Sequence, residues 1–415
     1  MILLTIYRII SYLIYPFVHF YLKSRINSNK ELRNRISERY GISSINRKKG
    51  KLVWIHAASI GESLSILPIV KELEKNKKVK QILVTTGTVT SAEIMGNKLK
   101  GKAFHQFIPI DVPIFVKRFL DHWNPSLSIF VESEIWPNFI LALKNRKKKL
   151  MILNGRMTVK SFNRWSKFKN TSLALFSKFD LCCTQSNDST FFYENLGTKN
   201  TIYTGNLKFA SRPPEIDSKK LQVLKKMLKN RKILLAASTH EGEEEIIANI
   251  TLSLKKKYKD FISVIVPRHP NRSEFFSNKQ KLKISYRSRN QDIKPNTNIY
   301  IADTIGELNL FYKLANFIFV GGSLVNHGGQ NPIEAASLGK TIIHGPNIMN
   351  FADVYEILSH MKLTYLVNNE RQLKIYIDDK YKKSNDSVSV SRSSRIMKEG
   401  NQAINNSIEA INQLL

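Results

Sequence analysis

A chain of 415 residues with 42% hydrophobic side chains and 18 glycines is too long for one ordinary domain and rich enough for two buried cores, which excludes global disorder. Its only cysteines, Cys182 and Cys183, are adjacent, which excludes a structural disulfide framework and suits a reducing cytosol. The balance of 65 Lys+Arg against 33 Asp+Glu, a formal net of +32, attracts polyanions, but Lys is abundant together with Asn and Ile, as drift in an AT-rich genome would also produce. Charge alone therefore identifies no partner.

The first element, 2–22, is nearly all apolar and as a helix would extend about 30 Å. No small-residue cleavage site follows it, which argues against a removed signal peptide. Lys23, Arg25, Lys30, Arg33 and Arg35 come next and place the remainder on the cytoplasmic side by the positive-inside rule. Thr5, Arg8, Tyr12, Tyr15 and His19 recur at three- and four-residue spacing, a stripe that also suits a helix lying in the membrane interface. A buried helix of the first domain is the third reading.

Beyond it, short β-rich runs alternate with helix-like stretches. The runs are 52–56, 81–85, 103–108, 126–131, 150–153, 181–184 and 201–204, then 232–236, 262–266, 298–301, 317–320 and 341–344. Several are continuously apolar, as strands buried on both faces of a parallel sheet must be. The alternation predicts α/β architecture with two Rossmann-like doubly wound domains. Ser211-Arg212-Pro213-Pro214 interrupts both periodicities and separates a domain over 23–208 from one over 209–402. The Ser-rich, charged stretch 384–395 reads as a loop, and 403–415 reads as a C-terminal helix.

Candidate chemistry gathers at strand ends, where such sheets bind ligands. After the first strand, Ser59-Ile60-Gly61-Glu62 places a carboxylate on a helix's first turn. There Glu62 is either a general base or the partner in a capping box, and spacing alone favours the cap. Glu132-Ser133-Glu134-Ile135-Trp136-Pro137-Asn138 sets two carboxylates before a helix start, either to meet a substrate or as solvated loop acids. Lys208, in Gly205-Asn206-Leu207-Lys208, could meet a phosphate or carboxylate, or be simple surface charge.

In the second half, His240-Glu241-Gly242-Glu243-Glu244-Glu245 opens a helix whose N-terminus could receive an anion, and its first-turn acids are equally explained as dipole partners and capping. Arg268-His269, held between prolines, suits bidentate phosphate binding. Ile305-Gly306-Glu307 would let backbone approach a base or ribose closely at Gly306. The glycine-rich run 321–329 leads into Asn331-Pro332-Ile333-Glu334, an N-cap, N1 and N3 sequence in which Glu334 is either a ribose ligand or a capping partner. No dinucleotide fingerprint, Walker loop or zinc spacing is present, and His240, His269, His327 and His344 are scattered, so neither metal nor cofactor is expected.

Seven runs in this order, HAASIGE (56–62), TTGTVTSAE (85–93), VESEIWPN (131–138), GNLKF (205–209), AASTHEGEE (236–244), VPRHP (266–270) and GGSLVNHGGQNPIE (321–334), closely resemble the Kdo (3-deoxy-D-manno-octulosonic acid) transferase family of inverting glycosyltransferases. The similarity extends from about Lys23 to the C-terminal helix. It implies a GT-B fold with two Rossmann-like domains facing a cleft, the first binding a lipid A precursor and the second the donor CMP-Kdo. It implies Glu62 as the general base, overturning the preference for a cap, and Glu132 and Lys208 as stabilisers of the transition state. Arg268, His269, Ile305, Gly306, Glu307, Asn331, Pro332, Ile333 and Glu334 match its CMP-binding segments. The implied setting is the cytoplasmic side of the inner membrane, with no nucleic acid as partner. Gln330, Gly155 and Ser91 depart from the family pattern, where His, Ala and Gly are expected. Two other readings stand beside it. A different GT-B transferase would use another sugar nucleotide, and a non-catalytic basic binder would leave the strand-end motifs unexplained.

Overall fold

Continuous apolar runs in the sequence become strands buried on both faces. The computed structural model describes residues 2–210, 216–272, 282–381 and 389–415, with backbone alone at 389 and 390. The chain divides into two units, Met1–Ser211 with Glu399–Leu415, and Arg212–Lys398. The expected break at Ser211-Arg212-Pro213-Pro214 lies outside the described residues.

In the first unit β1 (Lys51–His56), β2 (Val79–Thr86), β3 (Ala103–Phe107), β4 (Leu127–Val131), β5 (Lys149–Gly155), β6 (Leu181–Thr184) and β7 (Thr201–Tyr203) form one parallel sheet in the order β3-β2-β1-β4-β5-β6-β7. The order reverses between β1 and β4, the switch point at which doubly wound sheets bind ligands. Alternation along β1 sends Val53 and Ile55 to one core layer and Leu52 and Trp54 to the other. The first layer is completed by Leu207 and by Ala403, Ala410 and Ile411 of the C-terminal helix.

The second unit repeats the plan with β8 (Lys232–Thr239), β9 (Phe261–Pro267), β10 (Ile284–Tyr286), β11 (Ile299–Ile301), β12 (Phe317–Val320), β13 (Ile342–His344) and β14 (Thr364–Leu366), ordered β10-β11-β9-β8-β12-β13-β14 and parallel throughout. Its switch point lies between β8 and β12. The three-residue edge strands β10 and β14 were not expected from the sequence. They are too short to show a period, and Tyr365 and Leu366 of β14 are exposed.

The loop expected over 384–395 is corrected: a single helix runs Ser389–Leu414, and only 384–388 lie outside the described residues. Local propensity disfavours a helix there, but tertiary hydrogen bonds outweigh it. Ser393 Oγ donates to the Ser337 carbonyl at 2.6 Å and Arg392 to Thr341 Oγ1 at 3.0 Å.

At the other end of the chain, Ile2–Ile14, a 3-10 turn over Tyr15–Phe17 and Val18–Asn27 form a helical segment long and apolar enough to cross a membrane, with mean hydropathy 1.5. Only Leu4, Ser11, Val18 and Leu22 are buried, a single narrow seam against the first unit. The segment is therefore not a core helix, and Arg8, Tyr12, Tyr15 and His19 of the expected polar stripe remain exposed.

Candidate functional site

β1 ends at His56, and the helix Ile60–Ser65 begins four residues later with Ser59 as its N-cap. The Glu62 amide donates to Ser59 Oγ at 3.3 Å, and Ser59 Oγ donates back to Glu62 Oε1 at 2.8 Å. The other carboxylate oxygen accepts the Ala58 N–H at 2.8 Å. Glu62 thus does cap the helix, yet its carboxyl group is not an ordinary one. Burial raises its pKa, and the negative charges of Glu132 and Glu134 raise it further against the two hydrogen bonds.

Glu132 follows the last residue of β4 in the left-handed region, at φ 57°, a costly conformation for a residue with a Cβ. Its backbone is held on both sides: its N–H donates to the Leu153 carbonyl at 3.0 Å, and its carbonyl accepts from Tyr193 Oη at 3.0 Å. The strained turn aims the side chain at Lys208, whose Nζ lies 2.7 Å from Glu132 Oε1 as an ionic contact. Lys208 sits on the 3-10 turn Leu207–Ala210, fixed by Leu207 N–H to Asn154 Oδ1 at 2.9 Å and Lys208 N–H to Asn206 Oδ1 at 3.0 Å. The C-terminal helix buttresses this turn. A Cβ on Gly400 would lie 2.4 Å from the Phe209 carbonyl oxygen, so only glycine permits the approach.

Glu134 completes the group. It accepts from Trp136 Nε1 at 2.7 Å and lies 3.4 Å from His56 Nε2. Burial would raise its pKa, but the His56 and Trp136 contacts outweigh it, so the carboxyl group is held below its usual range. Neighbouring carboxyl groups with pKa values pushed apart are an arrangement that can divide proton transfer from charge stabilisation. The structure therefore gathers Glu62, Glu132 and Lys208, and adds His56 and Trp136, for which no chemical role was expected.

In the second unit the glycine-rich loop after β12 is organised by a residue read from sequence only as a dipole partner. The Glu243 carboxylate, fully buried, accepts backbone N–H groups from Gly322 at 2.7 Å and from His240, Ser323 and Leu324 at 3.0 Å each. Nothing local announces this, because the acceptor lies some eighty residues from the loop it holds. Gly321 must be glycine: a Cβ there would lie 2.6 Å from the Ser238 carbonyl oxygen.

His240 stacks on His327 with ring centroids 3.6 Å apart, and its Nε2 lies 2.9 Å from Gln330 Nε2. Burial, then the charge of His327, Arg272, His269 and Arg268, pushes its pKa down to about 4. Arg268 and His269 are exposed at the end of β9, so the ends of β8 and β9 carry a concentrated positive field suited to an anion.

Elsewhere in this unit the expected residues divide. Ile305 is 89% exposed, and beside it Gly306 takes φ 83° with open space where a side chain would be. Glu307 is instead engaged inward by Arg287 at 2.9 Å, Lys220 at 2.8 Å and Thr304 at 2.6 Å. The Arg287 hydrogen bond is the main cause of a pKa lowered to about 2. Asn331 Oδ1 accepts the Ile333 N–H at 3.1 Å, as a cap should, Pro332 precedes the helix Ile333–Ser337, and the pair Pro332 and Ile333 is buried. The Glu334 carboxylate takes no part in that cap and has no hydrogen-bond or ion-pair partner among the described residues, while burial raises its pKa. Among the described residues no hydrogen bond or ion pair joins Arg268, Glu307 and Glu334 to one another.

Residues 34–211 match the family model described as 3-deoxy-D-manno-octulosonic-acid transferase (kdotransferase). The 3-deoxy-D-manno-octulosonic acid transferase of Rickettsia bellii is 35% identical over 399 residues, covering 92% of this chain and 95% of the relative. That of Haemophilus influenzae is 34% identical over 346 residues, covering 81% of each. In fold, the chain resembles UDP-GlcNAc 2-epimerase from Neisseria meningitidis, with TM-score 0.56 at 17% identity over 88% of this chain and 99% of that one. Two parallel-sheet units with such a neighbour constitute a GT-B fold, and the chain belongs to the 3-deoxy-D-manno-octulosonic acid transferase family, the Kdo glycosyltransferases.

Proposed function

We propose that the protein transfers Kdo from CMP-Kdo to a lipid A precursor in lipopolysaccharide synthesis, with inversion, and that Glu62 is the general base. The observation that carries this reading is the Glu62 carboxyl group, with a raised pKa, at the switch point of the first sheet beside the Glu132–Lys208 pair. Glu62 takes the proton of an acceptor hydroxyl as its oxygen bonds to the anomeric carbon of Kdo. The bond from that carbon to the phosphate oxygen breaks, and CMP leaves with the electron pair. Positive charge grows on the sugar ring and negative charge on the phosphate.

Glu132 stabilises the first charge and Lys208 the second. Arg268 and His269 bind the nucleotide phosphate, while Glu243, which takes the Gly322, Ser323 and Leu324 N–H groups, fixes the shape of the glycine-rich loop. The Gly306 backbone and the Glu334 carboxylate receive base and ribose. A positioned base supplies about 10²–10⁴-fold in rate, so holding the two reactants together must supply much of the remainder.

The exposed apolar segment Ile2–Asn27, followed by basic residues, supports association with the cytoplasmic face of the inner membrane, where such an acceptor resides. The test is incubation of the purified chain with CMP-Kdo or UDP-sugars and a tetraacylated lipid A precursor, followed by mass spectrometry. A Kdo increment from CMP-Kdo alone supports the reading. Transfer from a UDP-sugar instead overturns its donor, and an unmodified acceptor with a hydrolysed donor overturns its acceptor.

A further inference from the structure

The amino-terminal helix carries two hydroxyl groups on the side that meets the protein. Tyr7 Oη donates to Asp111 Oδ2 at 2.9 Å, and Ser11 Oγ accepts from Asn138 Nδ2 at 3.3 Å. Partition into lipid gains nothing from either hydroxyl, and burying one without a partner is costly. Their use lies in what they touch. Ser11, Asp111 and Asn138 are all buried.

Asp111 caps another helix from outside it. The helix Pro137–Asn145 has Trp136 as its cap residue, and that side chain makes no capping bond. Asp111 stands in, with Oδ2 and Oδ1 accepting the N–H groups of Asn138 and Phe139 at 3.1 Å each, and its own carbonyl takes Asn138 Nδ2 at 2.5 Å. A carboxylate at a helix N-terminus is favourable both as a hydrogen-bond acceptor and toward the helix dipole.

The capped end is the one that leaves the acidic turn. Trp136 directly precedes the helix, and its indole holds Glu134, which meets His56 and contributes to the raised pKa of Glu62. Hydrogen bonds therefore run from Tyr7 and Ser11 to Asp111 and Asn138, the backbone of residues 136–138 carries the link on to Trp136, and the Trp136 indole meets Glu134.

We infer that Tyr7 and Ser11 are positioning residues for transfer: seating the amino-terminal helix on Asp111 and Asn138 fixes the start of the helix Pro137–Asn145 and, through Trp136, the turn that carries Glu132 and Glu134. The helix then does more than tether the chain to lipid, because its contact with the domain sets turnover. This inference rests on the transfer reaction proposed above.

The experiment uses the full chain in detergent with CMP-Kdo and a tetraacylated lipid A precursor, comparing wild type with Tyr7→Phe, Ser11→Ala and the double variant. Phenylalanine and alanine remove the hydroxyls without making the helix more polar, so binding to phospholipid vesicles, measured in parallel, stays at the wild-type level. The double variant is expected to lose about threefold to tenfold in kcat at saturating acceptor, with acceptor KM and thermal midpoint near wild type. Tyr7→Phe and Asp111→Asn should combine non-additively, since both act through one bond.

Wild-type kcat in the double variant overturns the inference and leaves the helix a tether. A raised KM with kcat intact also overturns it, because the helix would then deliver acceptor and not position the turn. If the double variant fails to fold, the same criteria apply to the single variants. Failure of the transfer reading shows separately, as a wild-type chain without turnover.

Discussion

Lys208 Nζ lies 2.7 Å from Glu132 Oε1, and the two residues reach each other from a 3-10 turn and a left-handed turn, each fixed by its own backbone hydrogen bonds. The pair places a negative charge near Glu62 and a positive one beside it. The local field at Glu62 is therefore built by the fold and not brought by a ligand.

That field gives a pH dependence. Burial, then Glu132, then Glu134 raise the pKa of Glu62, and a base must be deprotonated to act. Transfer at limiting acceptor should therefore fall as pH drops through a pKa above the ordinary carboxylate range. Glu132→Gln removes one of the charges that raises it, so the acid limb of a kcat/KM profile should move to lower pH, with the maximum also reduced.

Glu243→Gln tests the order of the glycine-rich loop. Glutamine offers one acceptor oxygen where the carboxylate takes four N–H groups on two, and it turns an NH2 donor toward other donors. Chemical denaturation should show a loss of about 2–4 kcal/mol. Donor KM should rise more than acceptor KM.

Gly400→Ala tests the support behind Lys208. The new Cβ would meet the Phe209 carbonyl oxygen at 2.4 Å and Ala210 Cα at 2.8 Å, all rigid backbone. A destabilisation of about 1–3 kcal/mol is expected. Because the displaced turn carries Lys208, kcat should fall with it, whereas alanine at the open helical position Gly96 should leave kcat unchanged and not lower stability.

Glu307 links the second unit's stability to acid. Its folded pKa, about 2, lies below the unfolded value, so its contribution is fully present above the ordinary carboxylate range and is lost as pH falls through about 2. Arg287 is the main cause, and the half-exposed Lys220 is screened by solvent, so Glu307→Gln should cost about 1–2 kcal/mol at neutral pH. The deficit relative to wild type should shrink between about pH 4 and pH 2 in acid unfolding curves.

What the sequence could reveal was governed by the range of the interaction. The apolar runs of β4, β9 and β12 are legible because both faces are buried, so burial writes itself into every residue. The capping of Glu62 is equally legible, being a bond over three residues. The edge strand Thr364–Leu366 is short and exposed and carries no such mark. Glu243 holding Gly322, and Tyr7 holding Asp111, join residues 79 and 104 apart and exist only once the sheets have formed. The same holds for the helix over 389–395, where Arg392 and Ser393 find tertiary partners in what reads as a loop.

The most direct test compares wild type with Glu62→Gln in transfer of Kdo from CMP-Kdo to a tetraacylated lipid A precursor. Glutamine can still accept the Ala58 N–H and pair with Ser59, so the cap and the fold should survive, but it cannot take a proton. Wild-type turnover is expected, with a folded variant slowed by about 10²-fold or more. A folded Glu62→Gln chain that turns over at near wild-type rate would contradict the general-base role, leaving Glu62 a helix cap and the base elsewhere.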